Sequence, residues 1–156
     1  MGRQIKLVAG AALFVLLVQP TTYAAEKGRL AWHTDVNEAW KITKKEGRPL
    51  LVFVTHDHCV HCVKMKNGTF AEQKVAAAVM KSYVPLAVDG AGKTPLVKDL
   101  AVSAYPTTFL ISPDAVVLGR IEGYVPPDVL MARLAALKNV RPPGKIAQAR
   151  VSLPSR

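Results

Sequence analysis

Apolar residues along this chain fall into two spacings, and the spacings mark out its elements. Leu50-Leu51-Val52-Phe53-Val54 is a short unbroken apolar run, the mark of a strand buried on both faces. Residues 83–89, 107–111 and 116–121 read as further strands. The last two are separated by Ser112-Pro113-Asp114, a turn of hairpin length. Between the strands the period changes. Val36, Ala39, Trp40 and Thr43 share one helical face after a capping Asp35, with Gly47 and Pro49 ending the segment. A helix is predicted from about 60 to 66, stopped by Asn67-Gly68. Another covers 72–81 with Val75, Ala78 and Val79 inward, and a short one covers 94–100. Pro126 or Pro127 opens a last helix whose apolar side is Val129, Leu130, Leu134 and Leu137. Strands separated by helices pair in parallel, and the closing hairpin is antiparallel. The fold class is therefore α/β, a central mixed sheet with helices on both faces. No internal repeat is visible.

The first two dozen residues stand apart from this pattern. Arg3 and Lys6 precede an uncharged apolar stretch, 7–18; Pro20 breaks it, and Thr22-Tyr23-Ala24 offers small residues for cleavage. The segment reads as a secretory signal peptide cut after Ala24, since spanning a bilayer takes about 20 apolar residues. The expected division is a signal peptide at 1–24, one domain at 25–138 and a flexible basic tail at 139–156. With 156 residues, half of them apolar, the chain has material for one real core. Its net charge of +10 is unevenly spread. Lys138, Arg141, Lys145, Arg150 and Arg156 lie in a last stretch without an acidic residue, so half of the excess sits at this end of the chain. The expectation is an exported, periplasmic or otherwise extracytoplasmic monomer. It has no nucleic-acid partner and no stable membrane span once the signal is gone.

The only two cysteines sit together as Cys59-Val60-His61-Cys62, where the first apolar strand gives way to a helix. A helix start offers unpaired N–H groups and the positive end of the dipole, which favour thiolate over thiol. In an exported chain a structural disulfide is the competing explanation. A bridge across two residues, however, closes almost no loop and removes little unfolded-state entropy. Reactivity explains the spacing better. His56, His58, Cys59, His61 and Cys62 also form a run of soft-metal ligands, so a copper(I) site at the dithiol is an alternative. Four ligands converging there would need distortion, because strand neighbours alternate faces. No phosphate loop, hydrolase elbow or flavin motif is present, so no cofactor is expected and electrons come from another protein. Lys64 and Lys66 read as solvated positions.

The order of elements, the dithiol after the first main strand and Tyr105-Pro106-Thr107 before a later strand together resemble the thioredoxin-like family. The likeness covers roughly 30–138 and is nearest to its exported thiol–disulfide oxidoreductases. It implies Cys59 as the exposed nucleophile and Cys62 as the buried resolving thiol. It implies a cis bond at Pro106, with the Tyr105 backbone free to pair with an extended substrate. His61, with a lesser contribution from His58, would stabilise the Cys59 thiolate and make the disulfide more oxidising. The partners implied are protein thiols or disulfides and a separate redox protein. The sequence also departs from the family. His58 stands where tryptophan is usual, Val60-His61 replaces Gly-Pro, and Phe53 occupies the place of a buried aspartate that serves the second cysteine. A copper(I)-handling protein, or a binding module that keeps the fold without turnover, remains open at this point.

Overall fold

The computed structural model describes residues 30–92, 94–138, 151 and 153. The first helix, α1 (Val36–Glu46), starts where the Asp35 carboxylate accepts the Glu38 N–H at 2.7 Å. It ends at Gly47, whose left-handed backbone (φ 67°) returns its N–H to the Thr43 carbonyl. Then follow β1 (Leu50–Thr55), α2 (Val60–Lys64), α3 (Gln73–Ser82), β2 (Val84–Asp89), α4 (Pro95–Asp99), β3 (Thr107–Ile111), β4 (Val117–Glu122) and α5 (Pro127–Lys138).

The strands form one sheet in the order β2-β1-β3-β4, with β1 parallel to β2 and antiparallel to β3. β3 and β4 make the antiparallel hairpin, with a register irregularity at Leu110 and Ile111. β1 is central and its side chains alternate between two apolar layers, as the unbroken run requires. Leu51 and Phe53 pack with Leu110 and Ile121 against Cys62, Met65, Val75, Val79, Leu130 and Leu134, so α2, α3 and α5 cover that face. Leu50, Val52 and Val54 pack with Leu86, Phe109 and Ile111 against Ala39, Trp40, Leu96 and Val97, so α1 and α4 cover the other. The α/β mixed sheet with helices on both faces is thus present.

Three local readings are corrected. Asn67-Gly68 does not stop the chain's helical course. A π-turn, Met65–Thr69, follows α2 directly, closed by the Phe70 N–H on the Met65 carbonyl at 2.9 Å. Tertiary contacts override the local stop signal. Met65, Thr69 and Phe70 are all buried, and the Thr69 hydroxyl donates to the Val125 carbonyl at 2.6 Å. In α3 it is Ala76 that joins Val75 and Val79 inside, while Ala78 is half-buried. Tyr83 is not strand. It caps α3 through its N–H on the Val79 carbonyl, and β2 begins one residue later.

The signal peptide expected at 1–24 and most of the tail at 139–156 lie outside the described residues. Of the tail, Val151 is 5 % exposed and donates its N–H to the Ala115 carbonyl, with Leu153 packed beside it on the α1 side of the sheet. Among the described residues no helix is long and apolar enough to cross a membrane.

Candidate active site

β1 ends at Thr55 on the rim of the sheet, and a four-residue turn carries the chain into α2. His58 takes the left-handed conformation (φ 59°) that reverses the backbone, a region histidine enters more readily than bulky or branched residues. Cys59 follows as the N-cap of α2. Its sulfur accepts the Cys62 N–H at 3.1 Å, and its carbonyl accepts the N–H groups of Cys62 and Val63. The sulfur therefore stands where a helix N-terminus stabilises negative charge.

Cys59 and Cys62 are joined in a disulfide, with Cα atoms 5.2 Å apart. The two ends differ sharply in access. Cys59 is half-buried, whereas Cys62 is 2 % exposed inside the α2–α3–α5 layer. An attacking thiolate meets Cys59 and cannot reach Cys62. Val60 and Val63, 77 % and 59 % exposed on the first turn of α2, add apolar surface beside the exposed His58 and His61.

The β1–β3 register brings the second marker to the same rim. Thr107 lies opposite Val54, so Tyr105 and Pro106 stand beside the chain leaving β1. The Tyr105–Pro106 peptide is cis, Pro106 is buried and Tyr105 is half-buried. The Tyr105 ring lies 5.0 Å from the ring of His56, whose Nδ1 donates to the Asp57 carbonyl at 2.8 Å.

His61 is exposed on α2, its ring 6.5 Å from that of Tyr124; His58 is exposed too. Lys64 is not simply solvated. Its Nζ sits 4.4 Å above the Tyr124 ring, a cation–π contact one helical turn from the dithiol. Phe53 is fully buried in an aromatic group with Trp32 and Phe70, the ring centres 4.9–5.6 Å apart. No proton carrier is available at that place. Among the described residues no three His, Cys, Asp or Glu side chains gather as metal ligands.

Three features escaped the sequence reading. Gly90 faces the Tyr105 ring, Tyr124 lies under Lys64, and the Thr108 hydroxyl is buried without a partner. Only Thr108 left a trace, as one of two threonines opening an otherwise apolar strand.

A family description of a thioredoxin-like domain matches residues 36–138. Among solved structures, the chain is similar to a thioredoxin from Thermus thermophilus at 24 % identity and a TM-score of 0.61, over 70 % of this chain and 88 % of that one. It is similar to the oxidised C-terminal domain of DsbD from Neisseria meningitidis at 21 % identity and a TM-score of 0.57, over 68 % and 98 %. It is also similar to a DsbH oxidoreductase at 16 % identity and a TM-score of 0.57, over 84 % and 96 %. At these identities the likeness is one of fold. No curated protein matches the chain.

Proposed function

This chain belongs to the thioredoxin-like family, and on that premise we propose that it is an exported thiol–disulfide oxidoreductase, exchanging disulfides with protein substrates through Cys59 and Cys62. One observation carries the reading: an accessible sulfur caps a helix and is joined to an enclosed one three residues on.

In the oxidising direction a substrate thiolate attacks the Cys59 sulfur. The Cys59–Cys62 bond breaks and its electron pair leaves on Cys62. A second substrate thiolate then attacks the substrate sulfur of the mixed disulfide. The product disulfide departs, and Cys59 remains as a thiolate held by the Cys62 N–H. In the reducing direction Cys59 attacks a substrate disulfide, and Cys62 then displaces the substrate sulfur. A separate redox protein restores the starting state. Val60, Val63 and the Tyr105 ring give an unfolded or extended client an apolar surface, and the Tyr105 backbone gives it a pairing edge. His61, aided by His58, tunes the Cys59 thiolate. Export rests on Arg3, Lys6 and the apolar stretch 7–18, and a periplasmic or extracytoplasmic place follows from it.

The test is a redox titration of purified mature protein in graded thiol buffers with trapping of free thiols. A reversible two-electron transition is expected, near the roughly −120 to −180 mV of known oxidants and isomerases if histidine tuning operates. A value near roughly −270 mV would make the protein a reductant and His61 a bystander. A pair that does not titrate, in a protein retaining copper(I) against a chelator, would overturn the redox reading in favour of metal handling.

A further inference from the structure

Cys62 poses a chemical problem that its surroundings do not obviously solve. When the Cys59–Cys62 bond opens, the departing electron pair puts a negative charge on a sulfur enclosed by apolar side chains. A buried charge needs a hydrogen bond or a counter-ion. The buried hydroxyls among the described residues are the Tyr83 phenol, which donates to the Leu134 carbonyl at 3.3 Å, and those of Thr43, Thr69, Thr107 and Thr108. Two of the threonines are engaged, Thr69 with the Val125 carbonyl at 2.6 Å and Thr107 with the Ala104 carbonyl at 2.7 Å. The hydroxyls of Thr43 and Thr108 are buried without a partner. Thr43 lies on α1, which covers the face of the sheet away from Cys62.

Thr108 lies on the other face. In the sheet register it stands opposite Phe53 on β1 and opposite Ile121 on β4. Residues directly opposite in an antiparallel pair point to the same side. Phe53 and Ile121 pack in the same cluster as Cys62. An unpaired hydroxyl, on a residue 2 % exposed, thus faces the layer that holds the enclosed sulfur. Orphaned buried hydroxyls are uncommon in folded proteins and each asks for a reason.

We propose that Thr108 is a positioning residue for Cys62, its hydroxyl donating a hydrogen bond to the Cys62 sulfur once the disulfide opens; this rests on the oxidoreductase reading above. In the joined state the sulfur is uncharged and a weak acceptor, so the hydroxyl has nothing worth binding. As a thiolate it becomes a strong one, and a hydrogen bond to the charged form lowers its pKa. Thr108 keeps its own proton throughout. Only the S–S bond changes: the substrate thiolate bonds to Cys59, the Cys59–Cys62 bond breaks, and the electron pair rests on Cys62. In resolution Cys62 attacks Cys59 of the mixed disulfide and the substrate leaves as a thiolate.

Thr108→Val keeps the shape and removes the hydroxyl; Thr108→Ser keeps the hydroxyl. In the full chain carrying Cys59→Ala, the pH dependence of ultraviolet thiolate absorbance, read against the chain lacking both cysteines, follows Cys62 ionisation without a reagent having to reach the enclosed sulfur. Thr108→Val is expected to raise the midpoint by about one unit, making the thiolate fraction near neutral pH about tenfold smaller. It is also expected to lower the reduction potential of the protein with both cysteines. Thr108→Ser should restore both values toward those of the unsubstituted protein. An unchanged ionisation profile and potential in Thr108→Val, whatever happens to its melting temperature, would overturn the proposal. A parent protein whose cysteine pair does not titrate would remove the oxidoreductase reading and this proposal with it. A titrating parent with an inert Thr108→Val removes this proposal alone.

Discussion

Replacing Gly90 by alanine isolates one contact that positions the aromatic ring beside the dithiol. A Cβ built on Gly90 would stand 2.5 Å from the Tyr105 Oη and 2.6 Å from its Cζ, far inside van der Waals contact. The backbone there is not left-handed, so alanine itself brings no strain of that kind. Its effect must come through Tyr105, whose ring would leave its place against His56 at 5.0 Å. Two terms then oppose each other. Alanine narrows the unfolded ensemble, worth about 0.4–1 kcal/mol in favour of folding. Losing the ring contact costs about 0.5–1.5 kcal/mol, taking the value for aromatic pairs. The net change in stability is therefore small, between about +0.5 and −1 kcal/mol, and a melting curve alone decides nothing. A double-mutant cycle does decide. In a Tyr105→Ala background Gly90→Ala should only stabilise, so the coupling between the sites should be about 0.5 kcal/mol or more. The activity counterpart is a raised KM for a peptide disulfide with little change in kcat. Additivity of the two substitutions within about 0.3 kcal/mol would refute the reasoning.

Two further outcomes are expected. On the proposed tuning role of His61, His61→Ala should lower the reduction potential of the Cys59–Cys62 pair; 30 mV corresponds to about 1.4 kcal/mol, and a shift smaller than about 10 mV would reduce His61 to a bystander. Burial raises the Tyr83 phenol above its usual range, so the folded state holds that proton more tightly than the unfolded chain. Stability contributed by Tyr83 is then complete below the unfolded value of about 10 and is lost as pH rises through the higher folded value. Tyr83→Phe should lose about 0.5–1.5 kcal/mol at neutral pH, through its hydrogen bond to the Leu134 carbonyl, and should show a shallower alkaline decline in chemical denaturation. A decline as steep as that of the parent protein would count against the assignment.

The fold makes the two sulfurs of the dithiol unequal. A helix start puts one sulfur at the rim, and the first turn of that helix sends the other into the layer between helix and sheet. The π-turn after α2 belongs to the same arrangement. It keeps Met65 and Thr69 inward and ties the segment to Val125, ahead of α5. Lys64 over Tyr124 adds a second link between α2 and the chain before α5.

What the sequence determined by itself was local. The unbroken run of β1 demanded burial on both faces, and the segment after it set Cys59 and Cys62 at a helix start. Asp35 and Gly47 marked the ends of α1 because capping is chemistry within a few residues. The tertiary structure decided whatever depended on partners far along the chain. Asn67-Gly68 failed as a stop because Thr69 finds a carbonyl 56 residues away. On α3 the expected Val75 and Val79 are inside, and packing partners placed Ala76 with them in place of Ala78. Gly90 meets Tyr105, Thr108 meets Phe53, and Val151 is buried on a face built from α1, α4 and the sheet. None of these pairs shares a helix turn or a strand. Capping and periodicity act over a few residues, whereas burial and a missing hydrogen-bond partner are properties of the surroundings, which exist only once distant segments have met.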